Sequence, residues 1–358
     1  EAIVNQSYKP VLLGIKKNKN VRLTLNINGA LLELFDKYKY REIIDVLREL
    51  GRDGRIEFTG SSKYHAFLPL IEEKEIIRQI KINNETNKFF LGSAYKPSGF
   101  FPPEMAYGEN LAPIIQDLGF RWIILDEIAF SGESEKVNYK KIYKIKNTNL
   151  IVFFRERRLS NLIMSAVVRS KETLFEAMKD DLSSGRYLVT AMDVETFGHH
   201  RPGLEKMLFD IFEAQEFELV QVSDILKYYQ EIKEISPIKS TWASSPKDIK
   251  EGIQFLSWRD PENVIHKFQR DFLNFVFDEF YKIPLNSPVY DILREKMDKA
   301  ISSDHFWWAS AKPWWSLEMI EVGAWALLDA LKSLPNIPKE KINKAQNFYT
   351  KIISTAFN

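Results

Sequence analysis

Two short acidic segments contain the residues with the clearest capacity for chemistry. Residues 100–105 read Phe-Phe-Pro-Pro-Glu-Met, and residues 192–200 read Met-Asp-Val-Glu-Thr-Phe-Gly-His-His. Each segment places a carboxylate directly after an apolar run, Glu104 in the first and Asp193 in the second. Acidic side chains at the ends of distant strands can meet at one mouth of an α/β barrel, and such a pair can cleave a glycosidic bond. The two segments therefore indicate a carbohydrate-active enzyme.

Glu104 follows two prolines. The rings of Pro102 and Pro103 restrict the backbone and remove two amide donors. That rigidity suits an acid that must be held in one position for catalysis. The same residues also fit a surface turn with an exposed acid, and a single acid after two prolines does not separate these two interpretations.

Asp193 has more support from its neighbours. We expect residues 187–192 to form a buried strand that ends on this acid, which suits a general acid because one side of the carboxyl group is then out of water. The alternative is an N-cap for a following helix. Glu195, His199 and His200 follow within the same segment, and this density of titratable groups favours a functional site.

Adjacent histidines also raise the question of a metal. His199 and His200 have no second set of ligands at the usual spacing, so we expect no metal and no cofactor. A hydrogen bond from His199 to sugar hydroxyls is the preferred role. Asp126 follows the apolar strand 122–125 and either lines the pocket or caps the next segment; we favour the pocket. His65 by itself could be a structural histidine.

Tryptophan is concentrated in residues 306–315. Indole rings stack well on the C–H faces of sugars, so this segment predicts a binding wall for a glucan. The alternative is core packing between a helical domain and a barrel. The three indoles that we expect to bind substrate are Trp307, Trp308 and Trp314.

The predicted secondary structure differs between the first two thirds of the chain and the remainder. Short apolar strands alternate with helices over residues 21–229, which indicates an α/β domain with a parallel sheet. The segment 235–245 is rich in Ser, Pro and Lys, and the residues after it follow helical spacing. We therefore predict an α/β catalytic domain over residues 1–235 and a helical bundle over residues 246–358.

Composition excludes several classes of function. The 358 residues carry a net charge of +1, which argues against nucleic-acid or acidic-membrane binding as the main activity. There is no cysteine, which fits a reducing cytoplasm. Neither an apolar run of about 20 residues nor a basic-then-apolar leader is visible. The sequence thus predicts a cytoplasmic protein without a membrane span.

Several segments, in this order, resemble the motifs of glycoside hydrolase family 57, the group of α-amylases, 4-α-glucanotransferases and amylopullulanases. The resemblance runs from about Ser7 to Ala324. It comprises Gly-Arg-Ile-Glu-Phe at 54–58, Phe-Pro-Pro-Glu at 101–104, Asp-Val-Glu-Thr-Phe-Gly-His at 193–199 and the Trp-rich segment. Several motifs in sequence make the resemblance much more specific than any one of them alone.

The resemblance implies an incomplete seven-stranded (β/α) barrel followed by an all-helical C-terminal domain. It implies a retaining mechanism in which Glu104 attacks the anomeric carbon and Asp193 protonates the leaving oxygen, with the carboxyl groups about 5–5.5 Å apart. The expected substrate is an α-glucan or a maltooligosaccharide. The residues that would shape the pocket and bind sugar are Glu57, His65, Glu195 and His199.

The chain departs from the family at its start. The family opens with a strand that bears a His-x-Gln-Pro motif, and Asn-Gln-Ser-Tyr at 5–8 does not replace it. We therefore expect a truncated form with impaired activity. A non-catalytic glucan-binding homologue and a metal-dependent polysaccharide deacetylase that uses His199 and His200 are the alternatives. The sequence leaves open hydrolysis, glucanotransfer or branching, α-1,4 or α-1,6 linkage, the substrate length and the oligomeric state.

Overall fold

The computed structural model describes residues 1–312 and 314–357, so Pro313 of the Trp-rich segment and Asn358 lie outside the described residues. The chain divides into two compact units. The first contains Glu1–Lys63 and Glu72–Trp242, and the second contains Tyr64–Ile71 and Ala243–Asn358. The division therefore falls after Trp242, and a short segment from within the predicted barrel domain groups with the second unit.

The first unit is built on short, mostly parallel strands. β1 and β2 form a parallel pair, and the other five strands form one sheet in the order β3-β4-β6-β5-β7. Of these strands, only β5 and β6 pair antiparallel, as a hairpin. Single parallel bridges at Gly60–Phe100 and Arg155–Val189 extend the pairing beyond these strands. The strands are β1 (Leu23–Leu25), β2 (Ile56–Phe58), β3 (Gly99–Phe100), β4 (Trp122–Asp126), β5 (Ile142–Ile145), β6 (Ile151–Arg155) and β7 (Ile232–Ile235).

Helices accompany these strands along the chain, which confirms the predicted α/β class. α3 shows the relation between pattern and packing, since Ile43, Ile44, Leu47 and Leu50 recur at helical spacing and are all buried. The chain begins with a π-helical turn, Val4–Tyr8. The helices that follow are α1 (Lys9–Lys17), α2 (Gly29–Lys37), α3 (Arg41–Arg52), α4 (Glu73–Leu91), α5 (Leu111–Asp117), α6 (Ile128–Ser131), α7 (Arg157–Met164), α8 (Lys171–Ala177), α9 (Lys179–Ser184), α10 (Leu204–Phe212) and α11 (Ile225–Tyr228).

In the described part of the second unit the regular elements are helical. Its longest core face is on α13, where Phe272, Phe275, Val276 and Phe280 are buried at helical spacing. α16 and α17 pack against each other and α13 packs against both. The helices are α12 (Pro246–Glu251), α13 (Val264–Phe280), α14 (Tyr290–Ala300), α15 (Asp304–Trp307), α16 (Leu317–Lys332) and α17 (Lys339–Phe357), with a 3₁₀ turn at Leu68–Leu70.

The predicted strand over residues 187–192 is wrong. The structure has only a single bridge there, between Val189 and Arg155. The backbone amides and carbonyls of this segment bond to several different partners instead of to one neighbouring strand. The Tyr187 amide donates a hydrogen bond to the Tyr139 carbonyl at 3.2 Å. The Ala191 carbonyl accepts a hydrogen bond from Nε of Arg155 at 2.8 Å. Because each group is satisfied separately, no regular ladder forms.

The sequence pattern and the structure differ at four further places. The pattern of residues 217–220 is typical of a strand, but no strand is present there. Ile232–Ile235, at the predicted boundary, pairs with β5 as strand β7. The pattern of residues 171–182 is typical of one helix, but the structure divides this segment into α8 and α9. Residues 4–17, for which the sequence suggested no element, are helical. Among the described helices none has the length and apolar character required to cross a bilayer.

Candidate active site

The candidate site lies at the carboxyl ends of parallel strands in the first unit. β3 leads into Glu104, β4 ends at Asp126 and β6 ends at Arg155. β4 pairs in parallel with both β3 and β6, so these three chain positions lie toward the same edge of the sheet. In α/β sheets this edge is where ligands bind.

Glu104 has a backbone conformation that is uncommon outside glycine. Its φ is 60° and that of Met105 is 48°. Such conformations cost about 1–3 kcal/mol and cluster at functional sites. The half-buried carboxylate accepts a hydrogen bond at Oε2 from Nε1 of Trp242 at 2.7 Å, and the Trp242 amide donates to the Glu104 carbonyl at 3.2 Å. Glu104 is therefore held in position, as the rigid interpretation of the Pro-Pro segment requires.

Asp126 is not available to a substrate, which corrects the expectation that it lines the pocket. Its side chain is 0% exposed and contacts Arg155 Nη1 at 3.0 Å and Arg157 Nη2 at 2.8 Å. Burial raises the pKa of Asp126 and lowers the pKa of Arg155, while the attraction between the charges acts in the opposite direction on both. Asp126 thus holds Arg155 and Arg157 in position by ion pairs.

Arg155 connects the surroundings of Glu104 with those of Asp193. Its Nε donates to the carbonyl of Ala191 at 2.8 Å, two residues before Asp193. Its guanidinium carbon lies 5.8 Å from the centre of the Trp242 ring, within the range of a cation–π contact. The same buried arginine therefore contacts both the residue that holds Glu104 and the segment that carries Asp193.

Asp193 is exposed, so the expectation that one side of its carboxyl group is out of water is wrong. The residue precedes a 3₁₀ turn, Val194–Thr196. Its side chain makes no capping hydrogen bond to this turn, so the N-cap alternative gains no support. The turn instead presents Glu195, whose carboxylate accepts a hydrogen bond from the Tyr8 phenol. Burial and the nearby Glu195 carboxylate raise the pKa of Tyr8 far above its ordinary value, so the phenol remains a hydrogen-bond donor.

The N-terminal turn holds the segment 193–199 at two further points. Ser7 Oγ donates to the Val194 carbonyl at 2.7 Å, and Gln6 Oε1 lies 2.7 Å from Nδ1 of His199. Gly198 has a φ of 100°, and a Cβ at this position would be 2.0 Å from the Gln6 carbonyl oxygen. Only glycine allows so close an approach. No pattern in residues 5–8 predicts these contacts.

Metal ligands do not gather in this region. Across residues 1–312 and 314–357 no group of three or more His, Cys, Asp or Glu side chains is arranged to hold a metal ion. The rings of His199 and His200 have their centres 5.3 Å apart. His200 is exposed, and His199 is engaged with Gln6.

Glu57 is not brought together with Glu104. Its carboxylate accepts hydrogen bonds from Thr24 Oγ1 at 3.0 Å and from the amide and hydroxyl of Ser223, and Ser98 Oγ lies 3.3 Å away. Ser98 directly precedes β3, so this cluster is at the amino end of the sheet. Glu57 therefore connects strands and loops at the end opposite to Glu104.

The remaining predicted residues belong to the second unit. His65 has a φ of 55°, and its Nδ1 lies 3.2 Å from Ser303 Oγ and 3.5 Å from Asp304 Oδ1. Trp307, Trp308 and Trp314 form one cluster, with ring centres 4.8 to 6.4 Å apart. Trp314 is 53% exposed and the other two are partly exposed. The cluster thus presents indole surface to solvent.

Three arrangements at the site were missed by sequence reasoning. Trp242 lies in the Ser-, Pro- and Lys-rich segment 235–245, where a lone tryptophan is itself a signal. Arg155 and Arg157 follow an apolar strand, and paired arginines at that place could have been matched to Asp126. Tyr8 lies in a segment with no recognisable pattern.

Comparison with known sequences supports the family resemblance. The model of glycosyl hydrolase family 57 matches residues 4–238. An alpha-amylase of Pyrococcus horikoshii is 24% identical over 215 residues, which cover 59% of this chain and 33% of the relative. A putative alpha-amylase of Methanocaldococcus jannaschii is 24% identical over 321 residues, covering 78% of this chain and 65% of the relative. The chain thus spans about a third of the first relative and under two thirds of the second.

Solved structures show the same fold. A 4-alpha-glucanotransferase from Thermococcus litoralis has a TM-score of 0.71 at 18% identity, over 94% of this chain and 57% of that one. A branching enzyme of this family from Pyrococcus horikoshii has a TM-score of 0.68 at 16% identity, over 99% of this chain and 91% of that one. At these identities the likeness concerns the fold alone.

Proposed function

The chain belongs to glycosyl hydrolase family 57, and from that premise we propose that it cleaves or transfers α-glucan chains by a retaining mechanism. The substrate class rests on the relatives, which are named alpha-amylase and 4-alpha-glucanotransferase. The mechanism rests on the residues of the first unit. We also propose that its mostly parallel strands belong to an incomplete seven-stranded (β/α) barrel.

Glu104 is the proposed nucleophile, and the observation that carries this assignment is its fixed geometry. The strained backbone and the Trp242 donor hold the carboxylate at the carboxyl edge of the sheet. An oxygen of Glu104 attacks the anomeric carbon, the bond to the leaving glycosidic oxygen breaks, and a covalent glycosyl-enzyme forms. A half-buried, oriented carboxylate suits this step because little reorganisation precedes the attack.

Asp193 is the proposed acid/base. It donates a proton to the leaving oxygen in the first step and takes one from water or from an acceptor hydroxyl in the second. The incoming oxygen then attacks the anomeric carbon and the Glu104 carboxylate is released. An exposed position fits this role because the group must exchange protons between the two steps.

Glu195 and His199 are proposed to hydrogen-bond the sugar beside these acids. Their contacts with Tyr8 and Gln6 fix where the carboxylate and the imidazole point. A preoriented hydrogen-bonding group loses less entropy when the ligand binds. Asp126 and Glu57 are given structural roles instead, because the first is buried and the second is at the opposite end of the sheet.

The tryptophan cluster of the second unit is proposed to bind glucan by stacking. Its partly exposed rings offer flat apolar faces that match the C–H faces of glucose units. A homologue that binds glucan without turnover would need this cluster but neither acid. Loss of activity on mutation of the acids therefore separates the enzyme from that alternative.

Covalent trapping tests the proposal. A 5-fluoro maltosyl fluoride forms a glycosyl-enzyme that hydrolyses slowly, and proteolysis followed by mass spectrometry locates the label. We expect one maltosyl label on the peptide that contains residues 100–105 and none in the Glu104→Gln variant. Label on a different acid would overturn the nucleophile assignment, and binding without label or product would favour the non-catalytic homologue. Products from maltoheptaose then separate hydrolysis from transfer.

A further inference from the structure

Trp242 makes two hydrogen bonds to a single residue, Glu104. Its indole Nε1 donates to the carboxylate at 2.7 Å, and its backbone amide donates to the Glu104 carbonyl at 3.2 Å. From this geometry we infer that Trp242 is a positioning residue for the nucleophile. The inference rests on the proposed function, because it assigns a role relative to Glu104 as the attacking group.

The segment that carries Trp242 is itself fixed beside the Glu104 turn. Ser240 and Tyr107 form an antiparallel bridge with hydrogen bonds of 2.9 and 3.3 Å in the two directions. Ser240 and Thr241 are 1% and 0% exposed. Residues 240–242 therefore run alongside residues 104–107 as a short, buried support, and Trp242 continues this pairing to Glu104.

Two arginines also contact Trp242. Arg157 Nη2 donates to the Trp242 carbonyl at 2.9 Å, and Arg155 lies over the indole ring at 5.8 Å. Both arginines are bound to the buried Asp126. The position of the indole N–H is thus set by the ends of β4 and β6 and does not depend on one flexible side chain.

The chemical consequence concerns the two oxygens of Glu104. A donor on Oε2 fixes the rotation of the carboxylate and favours its charged form. Once the glycosyl-enzyme has formed through the other oxygen, the same N–H can remain bonded to the ester carbonyl. In the second step it favours departure of the carboxylate, since a hydrogen bond to a charged acceptor is stronger.

The Trp242→Phe variant removes the donor and keeps an aromatic ring. We expect kcat/KM on maltoheptaose, and the rate of labelling at Glu104 by the 5-fluoro maltosyl fluoride, to fall about 10- to 100-fold, the loss typical of one charge-assisted hydrogen bond. The acidic limb of the kcat/KM profile should move to higher pH while KM changes little. Trp258→Phe is the matched control, because its buried indole nitrogen has no hydrogen-bond partner among the described residues.

A measurement on the unmodified tryptophan covers the case in which Trp242→Phe fails to fold. The chain has eight tryptophans, and their indole N–H signals can be followed by ¹⁵N NMR. We expect one signal to titrate together with the acidic limb of the rate profile and to shift strongly in Glu104→Gln.

Each outcome bears on a different claim. If wild-type protein is labelled at Glu104 but the variant matches it in labelling rate and pH profile, or no indole signal responds to Glu104→Gln, the inference is wrong while the proposed function stands. If wild-type protein is active and labelled elsewhere, both the nucleophile assignment and this inference fail.

Discussion

Arg155 and Asp126 form a buried ion pair that joins the ends of two adjacent parallel strands. The Arg155 side chain is 2% exposed and the Asp126 side chain 0% exposed, with Nη1 and Oδ2 separated by 3.0 Å. The remaining donors of Arg155 reach the Ala191 carbonyl and Asn161 Oδ1. When a charge pair is fully desolvated in this way, the loss of either partner strongly destabilises the fold.

We predict that Asp126→Ala lowers the free energy of unfolding by about 3–5 kcal/mol, because it leaves buried arginine charge without its counter-charge. Urea denaturation measures the change. The double variant Asp126→Leu/Arg155→Met should recover part of the loss, since no uncompensated charge remains in that pair. Glu49→Gln, which removes the exposed ion pair with Lys16, should cost less than about 1 kcal/mol. Equal effects at both sites would contradict this account.

Tyr8 supplies a second test of the site. Tyr8→Phe removes the donor to Glu195 and keeps the ring. If Glu195 binds sugar, its loss of orientation should raise KM for maltoheptaose about 3- to 10-fold with a smaller effect on kcat. Steady-state kinetics measure both quantities. Tyr38→Phe, at a position 61% exposed, is the control, and a KM for Tyr8→Phe that matches this control would remove the proposed role of the contact.

The tryptophan cluster can be tested separately from catalysis. Trp314→Ala should weaken maltoheptaose binding about 3- to 10-fold in a Glu104→Gln background, because one stacking surface is lost. Isothermal titration calorimetry gives Kd without turnover. Trp325 is equally exposed, at 53%, but lies on α16 against Tyr349 outside the cluster. Trp325→Ala should leave Kd unchanged, and a similar loss in both variants would show that stacking is not specific to the cluster.

Acid should destabilise the second unit through its buried histidines. Burial lowers the pKa of His266 and of His305 to about 4, against about 6.5 in an unfolded chain. The unfolded state therefore binds more protons between these pH values. The free energy of unfolding falls as the pH drops from about 6.5 toward 4, by about 3 kcal/mol for each histidine at most.

Calorimetry between pH 7 and 5 with one substitution isolates this effect. His266→Gln should reduce the fall in Tm on acidification, because residue 266 no longer takes up a proton on unfolding. His200→Gln, at an exposed histidine outside the second unit, is the control variant. A wild-type pH dependence in His266→Gln would show that other groups cause the acid sensitivity.

Strong local patterns were predictable from sequence and long-range side-chain contacts were not. The stripe of Ile43, Ile44 and Leu47 specified α3, and the apolar runs on either side of residues 146–150 specified the β5–β6 hairpin. Each of these two patterns is contained in a segment of about a dozen residues. Asp126 was misassigned because its partners Arg155 and Arg157 follow about thirty residues later, where periodicity carries no information about pairing.

Glu57 shows a second limit of the sequence. Its place on a strand was predictable, but the end of the sheet that its side chain would reach was not. That direction is set by hydroxyl groups of Thr24, Ser98 and Ser223, up to 166 positions away in the chain. The support given to Glu104 by Trp242, 138 positions later, was missed for the same reason.

Glu104 and Asp193 are proposed to act as nucleophile and acid/base of one retaining reaction, and azide rescue distinguishes these two roles. Glu104→Ala and Asp193→Ala are each supplied with α-maltosyl fluoride and azide, and ¹H NMR gives the configuration of the glycosyl azide. We expect the β-azide from Glu104→Ala, because azide replaces the missing nucleophile. We expect the α-azide from Asp193→Ala, because azide attacks the glycosyl-enzyme. An α-azide from Glu104→Ala, or unchanged hydrolysis of maltoheptaose by that variant, would contradict it.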